Sequence, residues 1–161
     1  IPPKKGKKHV LRLIREVLAF RPSGGGTDIS AALEYMNSVC RRHSVSFLIS
    51  DFIDSGFERA VKITSKRHDL IPVRITDPRE TELPRIGLVS FEDAETGEHI
   101  LVDTNNLNTS KAFQALSCES AGRLDELFKS LDILAVDVRT DRSYADPLIR
   151  FFKARESRIR R

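Results

Sequence analysis

Two side chains in this sequence could bind a hard divalent cation, and each lies beside a predicted secondary-structure element. Asp51 follows residues 45–50, a short run rich in β-forming residues. Thr27 follows three consecutive glycines and precedes a predicted helix. A Thr hydroxyl and an Asp carboxylate supply the oxygen ligands that Mg²⁺ and Mn²⁺ prefer. Thr27 and Asp51 are therefore candidate metal ligands.

Each candidate also has a purely structural interpretation. Thr27 or its neighbour Asp28 could be the N-cap of the following helix, a role worth about 1 kcal/mol. Asp51 could cap the turn that follows its strand. Asp51 and Asp54 together could instead form a metal-dependent hydrolase or phosphatase site, although carboxylates three positions apart are common in turns. The sequence leaves these alternatives open.

Several other kinds of site are not indicated. The glycine-rich loop lacks the Gly-Lys-Ser/Thr sequence of a phosphate-binding loop, and no Gly-x-Ser-x-Gly elbow occurs. The four histidines, at positions 9, 43, 68 and 99, do not have metal-ligand spacing. We therefore expect no catalytic residues and no tightly bound cofactor.

The two cysteines and the apolar residues indicate where the chain works. Cys40 and Cys118 are too few for a disulfide framework and favour free thiols in a reducing compartment. No apolar run reaches the roughly 18 residues that a membrane span needs, and no signal peptide is visible. We therefore expect a cytoplasmic protein with no membrane partner.

Hydrophobic periodicity and turn residues predict alternating helices and strands. Residues 45–50 are apolar nearly throughout, which predicts a strand buried on both faces. Pro72 argues that the second strand lies near an edge of the sheet, and Ser110 is the predicted cap of the longest helix. The predicted helices are 9–20, 27–42, 57–68, one beginning at Ser110, and 144–153; the predicted strands are 45–50, 70–75, 86–91, 99–103 and 133–138. This alternation predicts an α/β fold whose parallel sheet binds ligands at the carboxyl ends of its strands.

The positive charge is concentrated at the two ends of the chain. Residues 1–15 carry six basic side chains, and residues 150–161 carry six against one acidic residue, Glu156. The remaining 16–149 therefore hold 15 basic and 22 acidic residues, a net charge of −7. A uniformly basic nucleic-acid-binding face is not indicated. Binding of nucleic acid through the basic ends stays an alternative, against the simpler interpretation of solubilising charge on a helix and a tail.

Short motifs along most of the chain resemble a known family. Gly25-Gly26-Thr27-Asp28 and Leu48-Ile49-Ser50-Asp51 resemble two of the three loops that form the metal-ion-dependent adhesion site (MIDAS) of von Willebrand factor A-like domains. The chain more closely resembles the bacterial family called domain of unknown function fifty-eight (DUF58). Its matching segments are residues 2–6, 9–12, 47–52, 77–80, 83–84, 92–97 and 101–104.

This resemblance implies a doubly wound, Rossmann-type parallel sheet with an added β-hairpin at about 86–103. It implies one partial domain over 1–161, with a basic tail at about 154–161. The third loop of the adhesion site, Asp-x-Ser-x-Ser, is absent, so the chain, which begins at Ile1, resembles the C-terminal half of the domain. We therefore expect an incomplete site at Thr27 and Asp51 that binds no cation tightly, whereas a full-length protein could bind Mg²⁺ or Mn²⁺.

The resemblance also implies a function. Adhesion sites of this type recognise a partner's carboxylate, and the bacterial family commonly accompanies MoxR-type AAA+ ATPases. The expected role is therefore a non-enzymatic interaction module or adaptor acting with such an ATPase.

A further expectation concerns assembly. The strand 45–50 would be central in a complete domain, so here one of its edges should lack a neighbour and favour self-association as a two-fold dimer. The alternative is a monomer in which the helix 9–20 covers that edge.

Overall fold

The protein alternates helices with short strands. The computed structural model describes residues 1, 4–21, 26–92 and 97–159, and the side chains of all of these except 158 and 159. Most of the glycine loop before Thr27 and most of the turn between the two hairpin strands lie outside the described residues. The helices are α1 (Lys7–Ala19), α2 (Ile29–Val39), α3 (Glu58–Arg67), α4 (Leu107–Ser130) and α5 (Ala145–Ile159); the strands are β1 (Val45–Ser50), β2 (Asp69–Thr76), β3 (Leu88–Glu92), β4 (His99–Asp103) and β5 (Val136–Arg139).

Three strands form a parallel sheet in the order β1-β2-β5. Helix α3 connects β1 to β2, and the hairpin β3-β4 and α4 separate β2 from β5. Successive residues of a strand point to opposite faces, and β2 shows this clearly because Leu70 and Ile71 belong to different core clusters. The predicted α/β architecture with a parallel sheet is therefore confirmed.

Helices cover both faces of the sheet. On one face, α2, α3 and α4 pack over a cluster of nine buried residues: Ile29, Leu33, Phe52, Phe57, Ala60, Val61, Leu70, Leu124 and Phe128. On the other face, α5 packs Phe151 against residues of β2 and β5, namely Ile71, Val73, Val136 and Val138. This two-sided cover is the doubly wound arrangement.

The prediction that β1 is buried on both faces was wrong. Its residues alternate in exposure, and Val45, Phe47 and Ile49 are 57%, 49% and 67% exposed. Leu48, on the other face, packs against the core cluster beneath α2, α3 and α4. β1 is the outer strand, and α5 packs mainly over β2 and β5, so one apolar face of β1 is left uncovered.

Pro72 led to the prediction that β2 lies near an edge of the sheet. This prediction was also wrong, because β2 is the central strand of the three. Pro72 is fully buried and lies opposite Leu48 of β1. On the other side of β2, pairing with β5 begins only at Val73. The proline therefore precedes the segment in which β2 is paired on both sides, where a missing N–H would cost a ladder hydrogen bond.

Two helices begin at side chains that accept hydrogen bonds from the first turn. Asp28 is the N-cap of α2 and accepts from the Ala31 N–H at 2.7 Å. Helix α4 begins at Leu107, with Asn106 as its N-cap, accepting from the Asn108 N–H at 2.9 Å. Ser110 therefore lies inside α4, and its prediction as the cap was wrong.

The predicted hairpin is confirmed. β3 and β4 pair antiparallel and form a two-stranded sheet separate from the parallel one. Thr104 anchors the base of the hairpin: it is 1% exposed, and its hydroxyl donates to the Gly87 carbonyl at 2.8 Å. The same oxygen accepts from the Ile86 N–H at 3.1 Å.

The first helix packs least. No residue of α1 is buried, and Val17 and Leu18 are largely exposed.

At the other end of the chain, α5 continues to Ile159, beyond its predicted end at Lys153. None of the described helices is both long enough and apolar enough to cross a membrane.

Candidate functional site

A cleft of about 560 Å³ lies where β1 and β2 end. The loop that follows β1 forms one wall together with Glu58, the first residue of α3. Thr76, the last residue of β2, and a short turn at Glu80 and Thr81 form the second wall. Helix α4 forms the third wall with the residues Phe113, Leu116, Ser117, Ser120, Ala121, Arg123, Leu124 and Leu127. The cleft therefore lies at the carboxyl edge of a parallel sheet, where α/β folds bind ligands.

Asp51 lines this cleft and is exposed. One of its carboxylate oxygens, Oδ1, accepts hydrogen bonds from the Ile53 N–H at 3.1 Å and from the Ser50 hydroxyl at 3.4 Å. The Ser50 hydroxyl oxygen in turn accepts from the Phe52 N–H at 3.0 Å. Within the described residues the second oxygen, Oδ2, accepts no hydrogen bond, so it is available to a cation or to a partner.

Asp54 lines the same cleft and has a different role. Its Oδ2 accepts from the Ile29 N–H at 2.8 Å, and its Oδ1 accepts from the Ser55 N–H at 2.6 Å. Ile29 is the first residue of α2, whose N–H groups have no partner within the helix. Asp54 therefore joins the loop after β1 to the start of α2, and its negative charge also favours this helix end.

Phe52 fixes the loop between these two carboxylates. Its φ is 62°, in the left-handed region that non-glycine residues seldom adopt. Its buried ring packs on Phe57 and Phe128, at centroid distances of 5.9 Å and 5.5 Å. The aromatic packing offsets the backbone strain and holds Asp51 and Asp54 at the cleft.

Thr27 lies outside the cleft wall that contains Asp51 and is exposed. Its neighbour Asp28 caps α2, and Asp54 bonds to Ile29, so the structure brings Asp54 to the Thr27 segment. From its spacing in the sequence, Asp54 is predicted only as a catalytic partner of Asp51. Its structural role depends on a contact across 25 residues, which local spacing does not show.

Asp77 begins the turn whose residues Glu80 and Thr81 line the cleft. Its role in positioning this turn was not predicted from the sequence. It accepts from the Arg79 N–H and from the Thr140 hydroxyl, each at 2.9 Å. The hydrogen bond from the Arg79 N–H has the larger effect and the one from Thr140 the next largest, and both lower the pKa of Asp77 below its ordinary value. The Asp-Pro-x-Glu sequence signals this turn, because the Glu80 carboxylate accepts from the Asp77 N–H at 3.3 Å in a capping box.

The cleft is acidic. Asp51, Asp54, Glu58 and Glu80 line it, against the single basic side chain of Arg123 among the lining residues. Within the described part of the chain, no three His, Cys, Asp or Glu side chains are grouped closely enough to hold a metal ion. The cleft therefore favours a basic or cationic partner, with few protein ligands for an isolated ion.

A family model described as "Protein of unknown function DUF58" matches residues 1–122. The chain belongs to this family. The matched residues include both candidate ligands, Thr27 and Asp51. They also include the residues that line the cleft from Asp51 to Ala121.

Relatives occur in mycobacteria. The uncharacterized protein MAV169 of Mycobacterium avium is 28% identical over 160 residues, which cover 96% of this chain and 93% of that protein. The uncharacterized proteins Rv1480 of Mycobacterium tuberculosis and Mb1516 of Mycobacterium bovis are each 25% identical over 160 residues, again 96% of this chain. The chain spans 50% of the length of these two proteins. No solved structure matches the chain.

Proposed function

We propose that this chain is a non-enzymatic protein-interaction module of the von Willebrand factor A-like type, which binds its partner at the cleft at the ends of β1 and β2. The observation that carries this proposal is the unequal use of the two carboxylates. Both oxygens of Asp54 accept backbone N–H groups, whereas Oδ2 of Asp51 is available among the described residues. One available carboxylate oxygen in an acidic cleft suits recognition.

A bound cation would extend this recognition. Thr27 and Asp51 offer oxygens of the type that Mg²⁺ and Mn²⁺ prefer, but they are too few for a tight site. The ion would supply a positive centre for a partner's carboxylate. A full-length protein with the Asp-x-Ser-x-Ser loop would add the missing ligands and complete a MIDAS.

Cation affinity gives a first test. Because only two candidate protein ligands are present, we expect Mg²⁺ to bind this chain no more tightly than about the millimolar range. Titration calorimetry at increasing Mg²⁺ checks this. Micromolar binding that Asp51→Ala abolishes would show that the site is built from other ligands as well.

The proposed partner is a MoxR-type AAA+ ATPase, and the proposed compartment is the cytoplasm. The support for the ATPase is the family resemblance together with the acidic cleft, which would accept a basic or metal-bridged surface. The support for the compartment is the pair of free thiols, Cys40 and Cys118.

Hydrolysis by Asp51 and Asp54 is less well supported. A general base needs a lone pair directed at the substrate, and Asp54 uses both oxygens to hold α2 and its own loop. Nucleic-acid binding is also less well supported for the C-terminal basic end, because Arg155 there pairs with Asp69 and lies over the Phe151 ring.

The deciding experiment measures binding of the purified chain to the MoxR-type ATPase encoded in the same genome, with and without Mg²⁺. We expect Asp51→Ala to weaken binding by about tenfold or more. Glu126→Ala is the matched control, because Glu126 is an exposed carboxylate on α4 outside the cleft. Equal binding by both variants would refute the cleft as the binding surface, and Asp51-dependent phosphate release from a generic phosphoester would support the hydrolase instead.

A further inference from the structure

The N-terminal half of α4 lines the cleft without being buried in the core. The buried residues of this helix, Leu124 and Phe128, both lie near its C-terminal end. Phe113 and Leu116 lie two to three turns earlier and line the cleft together with Leu124. Leu116 is 64% exposed. This half of α4 therefore presents apolar side chains that the described core does not cover.

The opposite wall of the cleft carries a second exposed apolar side chain. Ile53, in the loop after β1, is 67% exposed, whereas its neighbours Phe52 and Phe57 are buried. The rings of Phe52 and Phe57 pack on each other, so the loop that presents Ile53 is anchored in the core. Large apolar side chains that face each other across a cleft are typical of an interaction surface.

Small side chains leave room between these two walls. Ser117, Ser120 and Ala121 line the cleft along α4. The volume of about 560 Å³ lies within the range of about 300–1,000 Å³ that is usual for ligand pockets. The cleft therefore has room for an apolar side chain of a partner between Ile53 and Leu116.

Carboxylates beside this apolar space select the charge of the partner. Glu58 and Glu80 line the cleft and are exposed. Among the described residues Glu58 makes no hydrogen bond or ion pair. Arg123 supplies the single basic side chain among the lining residues. A lysine or arginine of the partner is attracted to these carboxylates, and an acidic segment is repelled.

The cleft does not involve the outer edge of β1. All of its walls are built by residues 51–127, and it opens over the ends of β1 and β2, on the side where β1 is paired. The apolar and acidic parts of the surface therefore belong to one site formed within the described chain.

We propose that the cleft binds a basic, amphipathic segment of a partner protein. An apolar side chain of that segment packs between Ile53 and Leu116, and lysine or arginine side chains pair with Glu58 and Glu80. The methylene stems of lysine and arginine also pack on apolar walls, which suits a surface of this mixed kind. This inference rests on the proposed function, because it names the chemistry of the partner segment at the same cleft.

Synthetic peptides test the chemistry of the segment. The probe is a fluorescein-labelled peptide of three Leu-Lys-Lys-Leu repeats, and its binding to the purified chain is measured by fluorescence anisotropy. One matched peptide has glutamate for every lysine, and another has serine for every leucine. We expect the first peptide alone to bind. Equal binding by a matched peptide, or no binding of the first at about 1 mM, would overturn the proposal.

Variants of the chain locate the binding. Leu116→Ser should weaken binding of the basic peptide by about tenfold or more. Leu107→Ser is its matched control, because Leu107 is 55% exposed at the start of α4 and does not line the cleft. Glu58→Gln should weaken binding by about threefold, and less at high salt, whereas Glu126→Gln should not. Equal losses in a variant and its control would contradict binding at the cleft.

Binding of the MoxR-type ATPase separates this inference from the proposed function. We expect Asp51→Ala, Leu116→Ser and Glu58→Gln each to weaken it. If only Asp51→Ala does so, the cleft remains the binding surface but the partner segment is not of the basic, amphipathic kind. If none of the three weakens it, both proposals are refuted.

Discussion

At the scale of single residues, Asp51 and Asp54 in the loop after β1 have different roles, although the sequence alone does not distinguish them. Asp51 and Asp54 are both acidic and three positions apart, yet only Asp54 holds another element in place. Asp51 bonds within its own turn and keeps one oxygen available among the described residues. Substitution should therefore affect stability at one position and binding at the other.

Replacing the two carboxylates in turn tests this division. Asp54→Ala leaves the Ile29 N–H of α2 without its part-buried partner, so we expect the free energy of unfolding to fall by about 1–3 kcal/mol. Asp51→Ala removes only exposed bonds, and we expect a loss below about 1 kcal/mol. Urea unfolding measures both values, and equal losses would contradict the assignment.

The turn at Asp77 makes stability depend on pH. The hydrogen bonds from the Arg79 N–H and the Thr140 hydroxyl lower the pKa of Asp77 in the folded state. A lowered folded pKa stabilises the protein above the unfolded pKa, near 4, and this contribution is lost as the pH falls through the folded pKa. Asp77→Asn should therefore be less stable than the wild type at pH 7, with the difference shrinking as the pH falls below about 4.

Thermal or urea unfolding at a series of pH values checks this dependence. Two parallel stability curves would mean that the bonds to Asp77 do not favour its ionised form.

At the scale of elements, sequence patterns predicted most helices and strands but not their neighbours. The periodicity of α3 and the apolar run of β1 are local signals, and both elements are present. The exposure of β1 and the central position of β2, which carries Pro72, depend on the order of the strands in the sheet. The residues of a single strand do not indicate that order. Apolar residues at most positions of β1 indicated a strand covered on both sides, whereas α5 packs mainly over β2 and β5.

The candidate site shows the same limit. Asp51 was predicted because it directly follows its strand, and carboxyl ends of parallel strands meet at one edge. Asp54 holds α2 through a contact with a residue 25 positions away in the sequence. Asp77 bonds to Thr140, which is 63 positions away. Such contacts follow from the fold and were therefore not predicted.

The hairpin should be separable from the parallel sheet. β3 and β4 pair only with each other among the described strands, and Leu88 and Leu101 are largely exposed. Replacing residues 93–98 with an Asn-Gly turn should therefore leave a single cooperative unfolding transition. Loss of that single transition in calorimetry would show that the hairpin connection supports the core.

At the scale of the whole molecule, the core is built from residue 29 onward. Ile29 is the first buried residue of the described chain, and α1 contributes none. The apolar side chains of α1 therefore contribute little to the stability of the sheet and its other helices.

Removing residues 1–20 tests this view of the core. We expect the free energy of unfolding to change by less than about 1 kcal/mol, because no buried apolar surface of α1 is lost. Urea unfolding of the shortened chain measures the change. A loss of several kcal/mol would mean that α1 packs against the core in solution.

The pairing of β2 with β5 has a consequence for synthesis of the chain. Arg74 and its register partner Asp137 are 63 residues apart, whereas β1 and β2 are joined through the single helix α3. At about 5–20 residues per second, a ribosome takes roughly 3–13 s to add those 63 residues. During that interval β2 has its first neighbour but not its second, and Ile71 and Val73 lack the cover of α5. The growing chain therefore exposes for seconds the strand that is most buried in the folded protein, the period in which a chaperone that binds extended apolar segments would act on it.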